Sequence, residues 1–172
     1  NAGITRDAAL HKMTPDEWSA VIDTNLSGLF NMSRNVIDGM RERKFGRIVN
    51  ITSGAVKAPI EVLGLSNGAR SGLTGFCAGL ARKTVCHNVT LNAILPGPFD
   101  TDRLSATLEG AAKAAGKSVA EITEERRASN PAGRFGDPAE FGELCAFICS
   151  AQAGYITGQN LLIDGGGYPG TF

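Results

Sequence analysis

Arg47-Ile48-Val49-Asn50-Ile51-Thr52 is short, rich in β-branched residues and bounded by Gly46 and Gly54. That is the profile of a strand with both faces covered, as in a parallel sheet. Val89-Thr90-Leu91-Asn92-Ala93-Ile94-Leu95, stopped by Pro96-Gly97-Pro98, reads the same way, and so does Asn160-Leu161-Leu162-Ile163-Asp164, which ends in three glycines. Between these runs the apolar period changes from continuous to helical. Strands separated by helices of ten or more residues predict an α/β fold with a doubly wound parallel sheet.

The helices announce their starts. Thr14-Pro15-Asp16-Glu17 offers a hydroxyl cap, proline at the first helical position and a glutamate placed to reach back to the cap. One long helix is expected from there to about Arg43, with Trp18, Val21, Ile22, Leu26, Leu29 and Phe30 as its buried stripe and Asn25 on or beside it. A second helix is expected from about Ser66 to Val85, where Gly72, Gly75 and Gly79 form a small-residue face for a close neighbour. Residues 101–130 are polar, Ala-rich and weakly helical, the profile of a mobile substrate flap. Asp137-Pro138-Ala139-Glu140 repeats the capping-box start and leads into a helix to about Ser150.

Composition sets the outer limits. At 172 residues the chain is one domain or part of one, with 17 basic and 17 acidic side chains in balance. Neither a nucleic acid nor an acidic membrane surface is an expected partner. No apolar run approaches the roughly 18 residues that cross a bilayer, and no charged-then-apolar leader is present, so a cytoplasmic location is expected. The four cysteines, at 77, 86, 145 and 149, contain no C-x-x-C pair, and Cys145 and Cys149 read as small core residues on one helix face. With only His11 and His87 to add imidazole, no metal site is expected, and the thiols should be reduced.

Five motifs stand in order: Asn1-Ala2-Gly3; Asn25 within Thr24-Asn25-Leu26-Ser27-Gly28; Ser53 within Asn50-Ile51-Thr52-Ser53-Gly54; Pro96-Gly97; and Ile156-Thr157-Gly158-Gln159 followed by Asp164-Gly165-Gly166. Together they resemble the short-chain dehydrogenase/reductase family, most closely its 3-oxoacyl-acyl-carrier-protein reductase branch. The resemblance covers residues 1–172 as a single partial domain, the C-terminal half of a Rossmann-type fold without the N-terminal dinucleotide-binding strands. It implies an NAD(P)H-dependent carbonyl reductase that uses NADP or NAD only if the N-terminal segment is supplied, and otherwise takes no cofactor. By position it implies Asn1, Ala2, Gly3, Pro96, Gly97 and Thr101 as cofactor-facing residues, although a helix cap would account equally for Thr101. It also implies a homo-oligomer built on the helices that begin near Thr14 and Ser66. In the family's strand order the strand at Arg47 lies beside one that precedes Asn1, so pairing with an N-terminal segment or another chain is expected in place of a lone monomer.

The catalytic positions are only half kept. Asn25 and Ser53 match the family. The family's tyrosine, thirteen residues after the serine, is Ser66 here, and its lysine, four further on, is Arg70. A phenol starts near pKa 10 and can be brought toward neutrality by a nearby cation, whereas an alkyl alcohol starts several units higher. Ser66 is therefore a poor general acid. Arg70 keeps a charge and could hold ribose hydroxyls or a carboxylate, but exchanges no proton.

Two other functions stay open on the sequence. One is a serine-type ester hydrolase, with Ser66 or Ser53 as nucleophile, His11 as base and Asp100 or Asp102 as its orienter. The other is a non-catalytic protein that keeps the scaffold for binding or assembly.

Overall fold

A computed structural model describes residues 3–6 and 10–171. Three parallel strands, β1 (Gly46–Ile51), β2 (Val89–Pro96) and β3 (Asn160–Ile163), form one sheet in the order β1-β2-β3. Gly46 pairs with Val89 and Ile51 with Ile94, while Ala93 pairs with Asn160 and Pro96 with Ile163. Helix α3 (Gly64–Thr84) crosses from β1 to β2, and α4 (Asp102–Ala115), α5 (Val119–Ala128) and α6 (Pro138–Cys149) lie between β2 and β3. The α/β class and the three strands follow the sequence reading, each to within a residue or two.

The central strand carries the core. Val89, Leu91, Ile94 and Leu95 of β2 are fully buried. Because side chains alternate across a strand, Val89 and Leu91 share one face, where Ala81 of α3 packs on them with Ile48, Ile37 and Met40 alongside. Asn92 points to the other face and is buried with both ends of its amide in use: Nδ2 donates to the Ile156 carbonyl at 2.8 Å and Oδ1 accepts from Gln159 N at 3.0 Å. Leu91 N donates to Thr157 Oγ1 and Gly158 N to Leu91 O. The Ile156-Thr157-Gly158-Gln159 motif is thus a brace that delivers β3 to β2 in register. At the other end of β2, a Cβ on Gly97 would stand 2.7 Å from Asp164 Cα, so only glycine lets these strand ends close.

Several expectations need correction. The long helix from Thr14 divides into α1 (Pro15–Ile22), a π-helical turn over Asp23–Ser27, and α2 (Gly28–Glu42). Its capping box forms as expected, with Glu17 N donating to Thr14 Oγ1 and Thr14 N to Glu17 Oε2. Of the proposed stripe only Val21 is fully buried. Trp18 is 52% exposed and Phe30 49%, the latter only edge-packed on Phe76 of α3. Of the three glycines expected to form a small-residue face on α3, Gly72 meets Leu26 at 3.5 Å, but Gly75 and Gly79 face open space. Residues 101–130 are two full helices with their own cluster of Leu108, Ala112, Ile122 and Phe135. Cys149 is exposed and Cys145 only half-buried, so neither is a core residue; Cys77 is the buried thiol, and burial pushes its pKa up to about 11.

No helix among the described residues is long and apolar enough to cross a membrane.

Candidate active site

The π-helical turn places Asn25. One extra residue in the helix rotates the side chain inward, a device that recurs at functional sites. Asn25 is 7% exposed and clamps the extended segment after Gly3 from both sides: Ile4 N donates to its Oδ1 at 3.0 Å, and its Nδ2 donates to the Ile4 carbonyl at 2.8 Å. Gly3 lies against the same oxygen, where a Cβ would stand 3.5 Å away. Beneath this clamp Val21, Leu65 and Ala69 form a buried cluster with Ile4, Met13 and Ile22 packed around it. Leu65 and Ala69 flank Ser66 and Arg70 on α3, so the same cluster that holds the Asn25 segment fixes the face that carries the other two site residues.

Ser53 follows β1 and starts a 3-10 turn over Gly54–Val56, its Oγ accepting from Ala55 N at 3.1 Å. Ser66 is buried in the first turn of α3. Arg70 donates from Nε to Ser66 Oγ at 3.2 Å and from a terminal nitrogen to the Thr52 carbonyl at 2.9 Å. One guanidinium therefore ties α3 to the end of β1, immediately before Ser53. Asn25 and the Ser66–Arg70 face are thus joined by one apolar cluster, and Ser53 is tied to them through the Arg70–Thr52 bond.

The remaining expected residues divide. Gly3 lies beside Asn25, Gly97 N donates to the Ile163 carbonyl at 2.8 Å, and Pro96 pairs with Ile163 in the sheet. Thr101 caps α4, its Oγ1 accepting from Leu104 N, which is the structural reading of that residue. Asn1 and Ala2 lie outside the described residues. His11 is exposed and makes no hydrogen bond among the described residues, while Asp100 and Asp102 are exposed at the start of α4. The geometry among the described residues assembles no serine–histidine pair: Ser66 Oγ receives a hydrogen bond from a cation, where an acyl-transfer nucleophile needs a base.

Two concavities lie near these elements. One of about 230 Å³ is lined by Pro98, Phe99, Arg134, Glu140 and Asp164, and none of the expected catalytic residues reaches it. The other is an open groove of about 650 Å³ between the Gly3–Arg6 segment and Arg103, Ala106 and Thr107 of α4. Ile4 contributes to it, and Ile4 is the residue that Asn25 clamps. The groove therefore opens from the Asn25 end of the site. Sequence reasoning missed Arg6 and Arg103 on its walls, because they are distant in the chain and no local pattern connects them.

The parallel α/β sheet with an asparagine in a π-helical turn, a serine after one strand and a helical pair after the next loop defines a Rossmann-type protein. A family model described as enoyl-(acyl carrier protein) reductase matches residues 1–167. The acetoacetyl-CoA reductase of Shinella zoogloeoides is 43% identical over 169 residues, which cover 96% of this chain and 65% of that protein. The 3-oxoacyl-[acyl-carrier-protein] reductase FabG of Vibrio cholerae is 38% identical, with 98% of this chain and 64% of that protein covered. Among solved structures, a variant of actinorhodin polyketide ketoreductase with NADPH superposes with a TM-score of 0.89 at 30% identity, over 97% of this chain and 65% of that one. The chain belongs to the short-chain dehydrogenase/reductase family, is 3-oxoacyl reductase-like and corresponds to the C-terminal part of its relatives, of which it spans slightly less than two thirds.

Proposed function

We propose that the chain is the substrate-binding part of an NAD(P)H-dependent ketoreductase for 3-oxoacyl-type carbonyls, with an altered proton supply. The observation that carries this reading is the clamp of Asn25 on Ile4 together with Ser53 at the end of β1, kept in register with the Arg70 side chain on α3. The names of the relatives, acetoacetyl-CoA reductase and 3-oxoacyl-[acyl-carrier-protein] reductase, give the substrate class.

The nicotinamide half of a dinucleotide fits the residues present. Gly3 gives it a surface without a side chain beside Asn25, and Arg70 brings a planar cation to the same region. When bound, the dinucleotide supplies hydride. The chain's own residues supply the rest. Ser53 Oγ accepts from Ala55 N, and its proton has no acceptor among the described residues, so it is available to a carbonyl oxygen. Ser66 cannot replace a phenol as acid, and its oxygen is already engaged by Arg70. A water held near Asn25 or Ser53 then delivers the proton, and the reaction is slow compared with one that uses a tuned phenol.

The apolar side of α2 and α3 supports a homo-oligomer. Phe30 and Phe76 meet edge-to-face at 6.5 Å while each remains more than 40% exposed.

The test is NADPH oxidation by the intact natural polypeptide with acetoacetyl-CoA. Turnover is expected, with Ser53→Ala reducing kcat by about 100-fold, the usual effect of removing one oxyanion donor. Failure to bind either dinucleotide would overturn the reading.

A further inference from the structure

The groove beside Ile4 carries two guanidinium groups, Arg6 on the wall formed by the segment after Gly3 and Arg103 on the wall formed by α4. Neither side chain donates a hydrogen bond or joins an ion pair among the described residues, and no described residue lining the groove carries a carboxylate, although Arg6 lies close enough to Glu17 of α1 to help lower its pKa. Some arginines elsewhere are engaged, as where Arg47 bonds the Ser150, Gly46 and Asn88 carbonyls and Arg134 grips Glu140, but what sets Arg6 and Arg103 apart is that they stand on opposite walls of one groove. Two guanidinium groups on opposite walls of one open groove, with no carboxylate among its described lining residues and in a chain of zero net charge, mark a place suited to an anion. The planar fork of arginine matches phosphate oxygens, and such charge-assisted pairs are about twice as strong as neutral hydrogen bonds.

We propose that Arg6 and Arg103 form a phosphate-anchoring subsite at the mouth of the cleft, holding a phosphate ester remote from the reacting carbonyl. This rests on the reductase reading above. Two ligands of such a cleft carry that chemistry: the carrier arm of a CoA-type thioester and the dinucleotide itself. Binding at a remote phosphate would fix the acyl end near Asn25 and Ser53, so that tail contacts serve orientation at the reacting centre.

Equilibrium binding of coenzyme A, pantetheine and NADPH, each alone, to the intact polypeptide tests this without turnover. Arg6→Gln and Arg103→Gln should each weaken coenzyme A binding by about tenfold, a loss typical of one charge-assisted contact. Pantetheine, which has no phosphate, should bind the natural protein and the double variant alike. Weakened coenzyme A binding assigns the subsite to the thioester arm, and weakened NADPH binding alone assigns it to the dinucleotide. Affinities for both unchanged in the double variant would overturn the proposal. Both side chains are exposed, so the melting temperature should not move. Coenzyme A bound through the two arginines without any ketone reduction would defeat the reductase reading and leave the subsite standing.

Discussion

Arg70 and Ser66 face each other across one turn of α3, with the guanidinium Nε donating to the serine oxygen at 3.2 Å. A second donor of Arg70 reaches the Thr52 carbonyl at 2.9 Å. The family resemblance expects tyrosine and lysine at these two positions, and the proposed reading turns on what the exchange would do. The cation still lies near the hydroxyl, but it holds an alcohol whose pKa lies far above the working range, and it is itself unable to give or take a proton. On that reading the charge is kept and the acid is lost.

Restoring both residues should therefore restore proton transfer. Ser66→Tyr combined with Arg70→Lys is expected to raise kcat for acetoacetyl-CoA reduction by about 10²- to 10⁴-fold, the range supplied by a positioned general acid. Ser66→Tyr alone should gain less, and Ser66→Ala should leave the slow rate nearly unchanged. Steady-state kinetics across pH 6 to 10 decide the matter. A large fall on Ser66→Ala would mean that the serine does carry the proton and that the assignment is wrong.

Asn25 gives a prediction that combines stability with function. Among the described residues, its two bonds to Ile4 are the hydrogen bonds that join the Gly3–Arg6 segment to the helical layer. Asn25→Ala leaves the Ile4 amide and carbonyl without their partners in a part-buried site, which costs about 1–3 kcal/mol. The substitution should also free the segment that forms one wall of the groove. Hydrogen exchange at Ile4 is the direct readout: faster exchange in Asn25→Ala with α2 protection unchanged is expected. Unchanged exchange at Ile4 would show that the segment is held by other means.

The sequence made the strands legible because each is a local apolar run closed by glycine or proline, and it made the capping boxes at Thr14 and Asp137 legible because each spans four residues. The division of the first long helix was not legible. The apolar spacing runs on through Asp23–Ser27, and the partner that Asn25 of the π-helical turn clamps is Ile4, twenty-one positions away, which no periodicity reports. Trp18 and Phe30 were misplaced for a related reason: an apolar helix stripe has the same pattern whether or not another element covers it. Ser66 and Arg70 were readable as departures from a family pattern, but the bond between them and the tie to Thr52 came only from packing. Arg6 and Arg103 belong to the same class, two residues made neighbours by the fold alone.

The base of the α4–α5 layer depends on one ion pair whose pH response can be worked out. Arg134 precedes Phe135, a member of the Leu108–Ile122 cluster, and its guanidinium grips both carboxylate oxygens of Glu140 at 2.7 and 2.8 Å. Asp137 N donates to the same carboxylate as part of the α6 capping box. The Arg134 hydrogen bonds, with help from the Asp137 amide, hold the Glu140 pKa down at about 2, below the usual glutamate value. A carboxylate depressed in the folded state contributes stability above its unfolded pKa of roughly 4.3 and loses it as pH falls toward the folded value. Glu140→Gln should therefore melt below the natural protein at pH 7, with the gap narrowing between about pH 4.5 and pH 2 and closing below that. Both groups are largely solvated, so 0.5 M salt should shrink the gap as well. Arg134→Gln should reproduce the effect, and the double variant should add little, since the two side chains share one interaction. Thermal melts followed by circular dichroism at each pH test all three statements. A gap between the natural protein and Glu140→Gln that persists undiminished at pH 2 would show that the glutamate acts through packing and not through its charge.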